Sequence, residues 1–349
     1  MESPVLIEVT RNEIVESVHR GAVAIVDPAG NDVGSVGDTL RPVFIRSTGK
    51  PFQTIPAVRR GLLGRFDFTS EELAIMVASH SGECYHTRLV QSVLSKGGFD
   101  RSQLFCGIHP PKDPATQRLL AGAVPDVLHN NCSGQHAALL AFSVLLKADP
   151  VEYEKPEHPV HQEMLNTLAV FSGRQAESIG SGTDGCSLPV FTFPLSGLAR
   201  AYARLVNPAD LDAMTRSACE QVVQAMLDYP RAIAGTNRLC TDLMRACSPK
   251  LVAKTGAEGV YCVGVLPCDP YPDGLGIAVK IEDGAERALG PLVIEVLDQL
   301  ELLTDFEKRN LAPWHRPLLR TWRGEVTGCI RPSEGFRLTG QGIDSKTAH

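Results

Sequence analysis

The run Ser47-Thr48-Gly49-Lys50 could carry out acyl transfer. It places a hydroxyl and an amine three positions apart, where the strand-like run 41–45 gives way to a helical segment, 52–60. At that spacing both side chains lie on one face of a helix start, and an uncharged amine can take the proton of an attacking serine. The serine could instead merely cap the helix. With 21 Ser and 10 Lys in the chain, about 0.6 such runs arise by chance, so support must come from elsewhere.

A second run, Lys254-Thr255-Gly256, ends a predicted strand and arises by chance only about 0.05 times in this composition. A strand that ends in this way, downstream of a Ser-x-x-Lys helix start, is typical of penicillin-binding proteins and serine β-lactamases. Between the two runs, Ser79 and His80 follow a helical segment and could supply a hydroxyl between the two lysines. They could equally well be the polar end of that helix, closed by Gly82.

Two cysteine-containing loops form a third group of candidates. Cys132 and His136 begin one helix, and Asp184 and Cys186 lie in a glycine-rich loop further on. Such residues could hold a metal or activate a thiolate, although neither a Cys-x-x-Cys nor a His-x-x-x-His spacing is present. Backbone N–H groups of glycine loops at helix starts could also bind a carboxylate or an oxyanion.

Taken in order, these segments resemble one known family, the bacterial class 3 L-asparaginases of the Rhizobium etli inducible type. That family is related in fold to serine β-lactamases and glutaminases. The resemblance covers nearly the whole chain, and their joint occurrence is far more specific than any single motif. Five segments carry it: Arg46 to Pro51, Ser79 to Glu83, Asn131 to Gly134, Asp184 to Cys186 and Lys254 to Gly259.

The resemblance implies an amidohydrolase that converts L-asparagine into L-aspartate and ammonia. It would work through two Ser–Lys tandems, here Ser47 with Lys50 and Ser79 with Lys254. We therefore expect Ser47 to attack the amide carbon and Ser79 to relay protons between the lysines. We predict that the following residues bind the substrate: Arg46, His80, Cys132, His136 and Asp184.

The resemblance also implies a homodimer and a zinc ion held by two Cys and a Lys. The cysteines match Cys132 and Cys186, but Gln135 stands where the family has its lysine. A neutral amide is a poor zinc ligand beside thiolates, so a water or Cys240 would have to take its place. Because the family uses zinc to tune affinity, the chemistry itself is expected to need no cofactor.

Composition limits the partners. A net charge of −6 argues against nucleic acid or an anionic membrane as the main partner, which leaves a small-molecule substrate. No apolar run approaches the roughly 18 residues of a membrane helix, and the N-terminal residues show no secretory pattern. The ten cysteines are scattered along the chain, as expected of reduced thiols in a cytoplasmic protein.

Secondary-structure patterns predict an α/β fold. Strands are expected in 1–50 and 251–330 and helices in 51–247. We predict an antiparallel sheet built from both ends of the chain and packed against the helical middle, as in the serine β-lactamase and glutaminase folds. Residues 1–349 would form one catalytic unit, and the polar last ten residues are expected to fray.

Other functions stay open. A penicillin-binding or β-lactamase activity would use the same Ser and Lys, but neither an export signal nor a clear Ser-Asp-Asn triplet is seen. An amidohydrolase could act on glutamine or β-aspartyl compounds instead of asparagine. A hydrolase that uses Cys132 or zinc is a third alternative. The fourth is a binding protein that has lost turnover, which the presence of Gln135 would explain.

Overall fold

The computed structural model describes residues 2–340, which form two compact units. The first, called the sheet unit here, contains the residues up to Val43, Pro194–Asn207 and those from Asp242 onward. The second, the helical unit, contains Phe44–Phe193 and Pro208–Thr241.

The strands, in chain order, are β1 (Val5–Arg11), β2 (Ile14–Val26), β3 (Asp32–Val36), β4 (Pro42–Phe44), β5 (Gly180–Thr183), β6 (Pro189–Pro194), β7 (Leu251–Gly256), β8 (Val260–Val265), β9 (Leu275–Ile281), β10 (Leu318–Arg320) and β11 (Val326–Pro332). The α-helices are α1 (Lys50–Arg59), α2 (Leu62–Phe66), α3 (Ser70–Met76), α4 (Cys84–Gly97), α5 (Pro114–Leu120), α6 (Ser133–Leu145), α7 (Pro159–Ser172), α8 (Leu195–Val206), α9 (Ala213–Asp228), α10 (Pro230–Ile233), α11 (Leu239–Ala246), α12 (Leu289–Gln299) and α13 (Asp305–His315).

The sheet unit is built on an eight-stranded antiparallel sheet. Its strand order is β10-β11-β1-β2-β9-β8-β7, with β3 paired to β2. Every residue of β8 is buried, as expected for a strand covered on both faces. The predicted sheet from both ends of the chain is therefore confirmed, because its strands lie before residue 37 and after residue 250.

Helix α8 packs closely on this sheet, against β9, β2 and β8. The approach depends on Gly276 in β9, where an added Cβ would lie 1.7 Å from the Ala199 carbonyl oxygen of α8. Only glycine permits so short a distance between two backbones. Helices α12 and α13 pack against each other, and α12 also contacts β1 and β11.

The helical unit is organised around α1. Its residues from Lys50 to Val58 are all buried, as is typical of a helix with neighbours on every side. Helices α6, α7 and α9 contact it, and the Phe52 and Phe171 rings lie 5.2 Å apart between α1 and α7. The helix that begins with Lys50 thus runs through the core of its unit.

The helical unit also contains a β-hairpin that the sequence patterns did not predict. Strands β5 and β6 pair antiparallel, with Gly180 opposite Thr192 and Thr183 opposite Pro189. The turn between them carries Asp184 and Cys186, and its backbone closes by a bond from Asp184 N to Leu188 O of 2.8 Å. This hairpin is an exception within residues 51–247, which were predicted to be mainly helical, and its first strand begins in the predicted glycine-rich loop.

The α/β class and a mainly helical middle are confirmed, while one catalytic unit over 1–349 stays a prediction. The expected fraying of the last ten residues falls, apart from Gly340, outside the described part of the chain. Among residues 2–340 no helix combines the length and apolar character that crossing a membrane requires.

Candidate active site

Ser47 lies inside a 3₁₀ helix, Arg46–Gly49, that runs directly into α1. The N-cap of that short helix is Ile45, so the interpretation of Ser47 as a helix cap is wrong. Arg46 has φ = 48°, a left-handed conformation that costs a residue with a Cβ roughly 1–3 kcal/mol. Pro51 stabilises the first turn of α1.

The Ser47 turn opens onto a cavity in the helical unit. Its empty space is about 260 Å³ and is open to solvent. The lining residues are Arg46, Ser47, Lys50, Gln53, Cys132, Gln135, Asp184, Cys186, Leu188, Pro189 and Val190. Six of these were predicted as site residues or zinc ligands, so one cavity brings together segments that are distant in the sequence.

Lys50 connects three of these segments. Its side chain is only 2% exposed, and its Nζ donates to Ala78 O (2.6 Å), Ser79 Oγ (3.2 Å) and Cys132 Sγ (3.2 Å). An ammonium has three protons to donate, and here each meets an acceptor. The predicted proximity of Lys50 to Ser79 is thus present in the helical unit.

Cys132 and Cys186 perturb each other's pKa. The hydrogen bond from Cys186 lowers the pKa of Cys132, against the opposing effect of burial, and the charge of Lys50 lowers it further. The same hydrogen bond and burial raise the pKa of Cys186. Of the two thiols, Cys132 is therefore the more readily ionised, and it is the one that contacts Lys50.

Arg46 and Asp184 form an ion pair at the cavity. Arg46 Nη2 lies 2.9 Å from Asp184 Oδ1, and Arg46 Nε lies 3.3 Å from Oδ2. The two side chains are 23% and 19% exposed, so the pair is accessible to a ligand. A charged pair of this kind can bind the carboxylate and the ammonium of an amino acid.

A neutral pair, Gln53 and Gln135, lies in the same cavity. Gln135 Nε2 donates to Gln53 Oε1, and both side chains are buried. Gln53 was not predicted from the sequence. The sequence pattern that could have indicated Gln53 is its position three residues after Lys50, which is itself three residues after Ser47. Residues at this spacing lie on one side of a helix.

The cysteines do not complete a zinc site. Structural zinc takes four Cys, His or carboxylate ligands, and a catalytic zinc takes three with a water. Cys132 and Cys186 supply two, and the Gln135 amide is engaged with Gln53. Within residues 2–340 no three His, Cys, Asp or Glu side chains, Cys240 included, come close enough to hold a metal. The residues present therefore do not fit the zinc ion that the resemblance implies.

His80 lies in the core rather than among the cavity residues. Its Nε2 lies 3.0 Å from Ser133 Oγ, and its Nδ1 accepts from the Gly82 N–H at 3.2 Å. Because the Ser133 hydroxyl donates to Leu128 O, it accepts from His80, which is therefore neutral with its proton on Nε2. Burial, with His86 next, holds the pKa of His80 well below its ordinary value.

His136 is buried on α6 in a similar way. Its Nδ1 lies 2.6 Å from the Tyr153 hydroxyl, and burial followed by the charge of Lys50 lowers its pKa to about 3. Its Nε2 has no hydrogen-bond partner among the described residues. Cys132 is the N-cap of α6. His136 lies in the first turn of that helix, and His80 bonds to its first residue, Ser133. Direct substrate binding by either histidine stays a prediction.

Lys254 belongs to the sheet unit. It lies on β7 opposite Cys262, its side chain is fully buried, and its Nζ donates to Thr255 O at 2.9 Å. The strand predicted to end in Lys254-Thr255-Gly256 is confirmed. The partnership of Lys254 with Ser79 stays a prediction.

Comparison with known proteins gives the family. A family model described as L-asparaginase II matches residues 7–332, and no curated protein matches the chain. Similar solved structures include Mglu in its native form, at 16% identity and a TM-score of 0.44, covering 82% of this chain and 66% of that one. A probable glutaminase from Bacillus subtilis, complexed with 6-diazo-5-oxo-L-norleucine, matches at 15% identity and 0.41, covering 81% and 84%. Because the family model spans nearly the whole chain, this protein belongs to the L-asparaginase II family of amidohydrolases.

Proposed function

We propose that this protein hydrolyses the side-chain amide of L-asparagine, giving L-aspartate and ammonia, through an acyl-enzyme on Ser47. The observation that carries the proposal is the cavity of the helical unit. There the Ser47 turn, the Lys50 amine and the Arg46–Asp184 ion pair face the same space. A nucleophile, a proton carrier and a pair of charges for an amino acid are the parts that such a reaction needs.

In the first half of the reaction, Ser47 Oγ forms a bond to the amide carbon and gives up its proton. The C–N bond then breaks, and the nitrogen leaves as ammonia after it has gained a proton. In the second half, water attacks the same carbon and the Ser47 Oγ bond breaks. The serine recovers its proton, so atoms and charges balance over the cycle.

Lys50 is the proton carrier in this proposal. An amine can accept a proton only in its neutral form, so Lys50 must be uncharged at the moment when it takes the proton of Ser47. Ser79 Oγ, 3.2 Å from Lys50 Nζ, gives its hydroxyl proton to the departing nitrogen and regains one from Lys50, which has taken it from Ser47. A second relay from Ser79 to Lys254 rests on the resemblance alone.

Arg46 and Asp184 would recognise the α-carboxylate and the α-ammonium. The two ends of an amino acid can take over from the two partners of the ion pair, so no charge is left unpaired in the complex. The cavity is lined by these two charged side chains and by Gln53 and Gln135. Cys132 contributes a thiol whose Sγ lies 3.2 Å from Lys50 Nζ, while His80 and His136 support the start of α6.

The proposal routes no step through zinc, because the donor set is incomplete. A homodimer, a cytoplasmic location and a cofactor-free reaction also belong to the proposal and follow from the resemblance and the composition.

The test is an ammonia-release screen over asparagine, glutamine, β-aspartyl dipeptides and simple amides, with nitrocefin as a β-lactam probe. Metal content is measured on the same preparation. We expect the highest kcat/KM with L-asparagine and no nitrocefin turnover. Turnover of nitrocefin alone, or no ammonia from any amide, would contradict the proposal.

A further inference from the structure

The segment from Ser79 to Glu83 joins α3 to α4 and is almost completely buried. Ser79, His80, Ser81 and Glu83, counted as whole residues, are no more than 5% exposed. A buried connection must satisfy its polar groups within the protein. Where those hydrogen bonds go therefore decides how firmly Ser79, the partner of Lys50, is held.

Many of them go to one other segment, residues 231–238, which contains all of α10 except Pro230, and the turn after it. Ser79 N donates to Ile233 O at 2.9 Å, and Ser81 Oγ donates to Ala234 O at 2.8 Å. The backbone of Ser79 itself is thus fixed by this second segment. A shift of the second segment would move Ser79 away from Lys50.

Glu83 provides the strongest connection between the two segments. Its Oε1 accepts from the Thr236 N–H at 2.6 Å, and its Oε2 accepts from Arg231 Nε at 2.9 Å and Nη2 at 2.7 Å. Burial alone would raise the pKa of Glu83, but these hydrogen bonds outweigh it and keep the pKa below its ordinary value. Glu83 is therefore an ionised carboxylate whose two oxygens both bind residues 231–236.

The two segments meet too closely to tolerate a side chain at Gly235. This residue has φ = +119°, and a Cβ there would lie 2.7 Å from Glu83 Oε1 and 2.8 Å from Ser81 Oγ. Because glycine has no Cβ and readily adopts this φ, it lets the two segments pack this closely. Further bonds, from His86 Nε2 to Arg231 O and from Arg238 Nη1 to Ser81 Oγ, strengthen the same connection.

We propose that Glu83 and Arg231 are positioning residues for the hydrolysis: they hold the Ser79–Glu83 segment against residues 231–236, so that Ser79 Oγ stays within reach of Lys50 Nζ. The inference rests on the proposed role of Ser79 in relaying protons from Lys50. Neither Glu83 nor Arg231 lines the cavity within the described residues, so both act on the reaction only through Ser79.

The test measures kcat, KM and melting temperature for Glu83→Gln and Arg231→Met, on the amide with the highest turnover. The matched control is Glu72→Gln. Glu72 is also a buried carboxylate of the helical unit and is hydrogen-bonded to Lys96, Ser92 and Thr69. It lies in the first turn of α3, away from the turn that carries Ser79. Arg231, whose side chain is 46% exposed, provides a variant that folds even if Glu83→Gln does not.

We expect kcat to fall about ten- to hundredfold in both variants, because small displacements of a catalytic group have effects of that size. KM should stay within about twofold, and Glu72→Gln should lower the melting temperature without lowering kcat. If all three variants lose stability alike and keep kcat, the pair is purely structural and the inference is wrong.

A double-mutant cycle separates this inference from the proposed function. Adding Glu83→Gln to Ser79→Ala should lower kcat no further than Ser79→Ala alone, since the pair acts through Ser79. Full additivity would overturn the inference and leave the role of Ser79 intact. A Ser79→Ala variant with normal kcat would overturn the proposed relay, and the inference with it.

Discussion

Two sets of polar residues in the helical unit occupy opposite environments. Arg46, Ser47 and Asp184 face a solvent-open cavity, whereas His80 and His136 are completely buried. Both sets lie in short motifs that resemble an amidohydrolase site, and the sequence did not distinguish them. The difference shows that a motif marks the neighbourhood of a site, while exposure to the cavity decides which of its side chains can meet a substrate.

The two sets also differ in charge. The cavity residues carry charge that a ligand can reach, and the Arg46–Asp184 pair is about one-fifth exposed on each side. The histidines are held neutral, with pKa values far below their ordinary range. We therefore expect changes to the first set to alter turnover and changes to the second set to alter stability.

The largest effect is expected from Ser47→Ala. Removing the nucleophile should lower kcat by at least about a thousandfold, as for nucleophilic serines elsewhere, with no change in melting temperature because Ser47 is only partly buried. The matched control is Thr54→Val on α1, where the Thr54 hydroxyl donates to the Lys50 carbonyl. Normal turnover in Ser47→Ala would remove Ser47 from the mechanism.

A smaller effect is expected from Arg46→Gln and Asp184→Asn. Each leaves one charge without its partner in the free protein and one end of the amino acid without a counter-charge in the complex. We expect KM to rise about ten- to hundredfold in steady-state assays while kcat changes little. A loss confined to kcat in either variant would show that the ion pair acts in the chemical step rather than in binding.

Gln135→Lys tests whether the amide at position 135 is what prevents zinc binding by Cys132 and Cys186. The new amine would supply a third nitrogen or sulfur ligand beside Cys132 and Cys186, so the variant should retain zinc after dialysis, measured by elemental analysis. The unaltered protein should retain far less than one equivalent. Gln135→Met, which is similar in volume but offers no amine, is the control. One equivalent of zinc in the unaltered protein would show that Gln135 or water completes the site.

The smallest effect concerns His136 and acid stability. The pKa of His136 is about 3 in the folded protein, below the ordinary value near 6.5. As the pH falls below about 6.5, His136 becomes protonated in the unfolded chain but stays neutral in the folded protein. The free energy of unfolding therefore decreases toward pH 3, by up to about 1.4 kcal/mol per pH unit. The charged or titratable neighbours are Lys50, His161 and Tyr153, and His161 behaves likewise with a pKa of about 4.

In urea unfolding at pH 7, 6 and 5, His136→Gln should show a shallower loss of unfolding free energy than the unaltered protein. The control is His129→Gln, a half-buried histidine of the same unit. Equal slopes for all three proteins would contradict the buried neutral state of His136. A kcat that falls as far as in Ser47→Ala would move His136 from the core set to the catalytic set.

Much of this architecture was predictable from local patterns. The alternation in residues 5–10 and the apolar runs near 21–27 and 259–265 predicted strands of the sheet, because period and apolar content depend on neighbours in the chain. The Ser47–Lys50 spacing predicted their common face for the same reason. The hairpin of β5 and β6 was missed because Gly180-Ser181-Gly182 has little strand propensity and Pro189 begins β6.

Long-range pairings were beyond local patterns. Arg46 and Asp184 are separated by 138 positions, and Glu83 and Arg231 by 148, so no spacing rule connects either pair. The resemblance named Arg46 and Asp184 singly but not their contact. Glu83 was noticed only as part of a motif, since its partner lies on a helix of four residues, α10, that was not predicted.

The central claim is that Ser47 carries the acyl group. The most direct measurement is rapid acid quenching during turnover of L-asparagine, followed by peptide mass spectrometry. We expect a β-aspartyl ester on the peptide that contains Ser47, lost in Ser47→Ala and unaffected in Thr54→Val. An acyl group on Cys132, or complete turnover without any acylated peptide, would contradict the account.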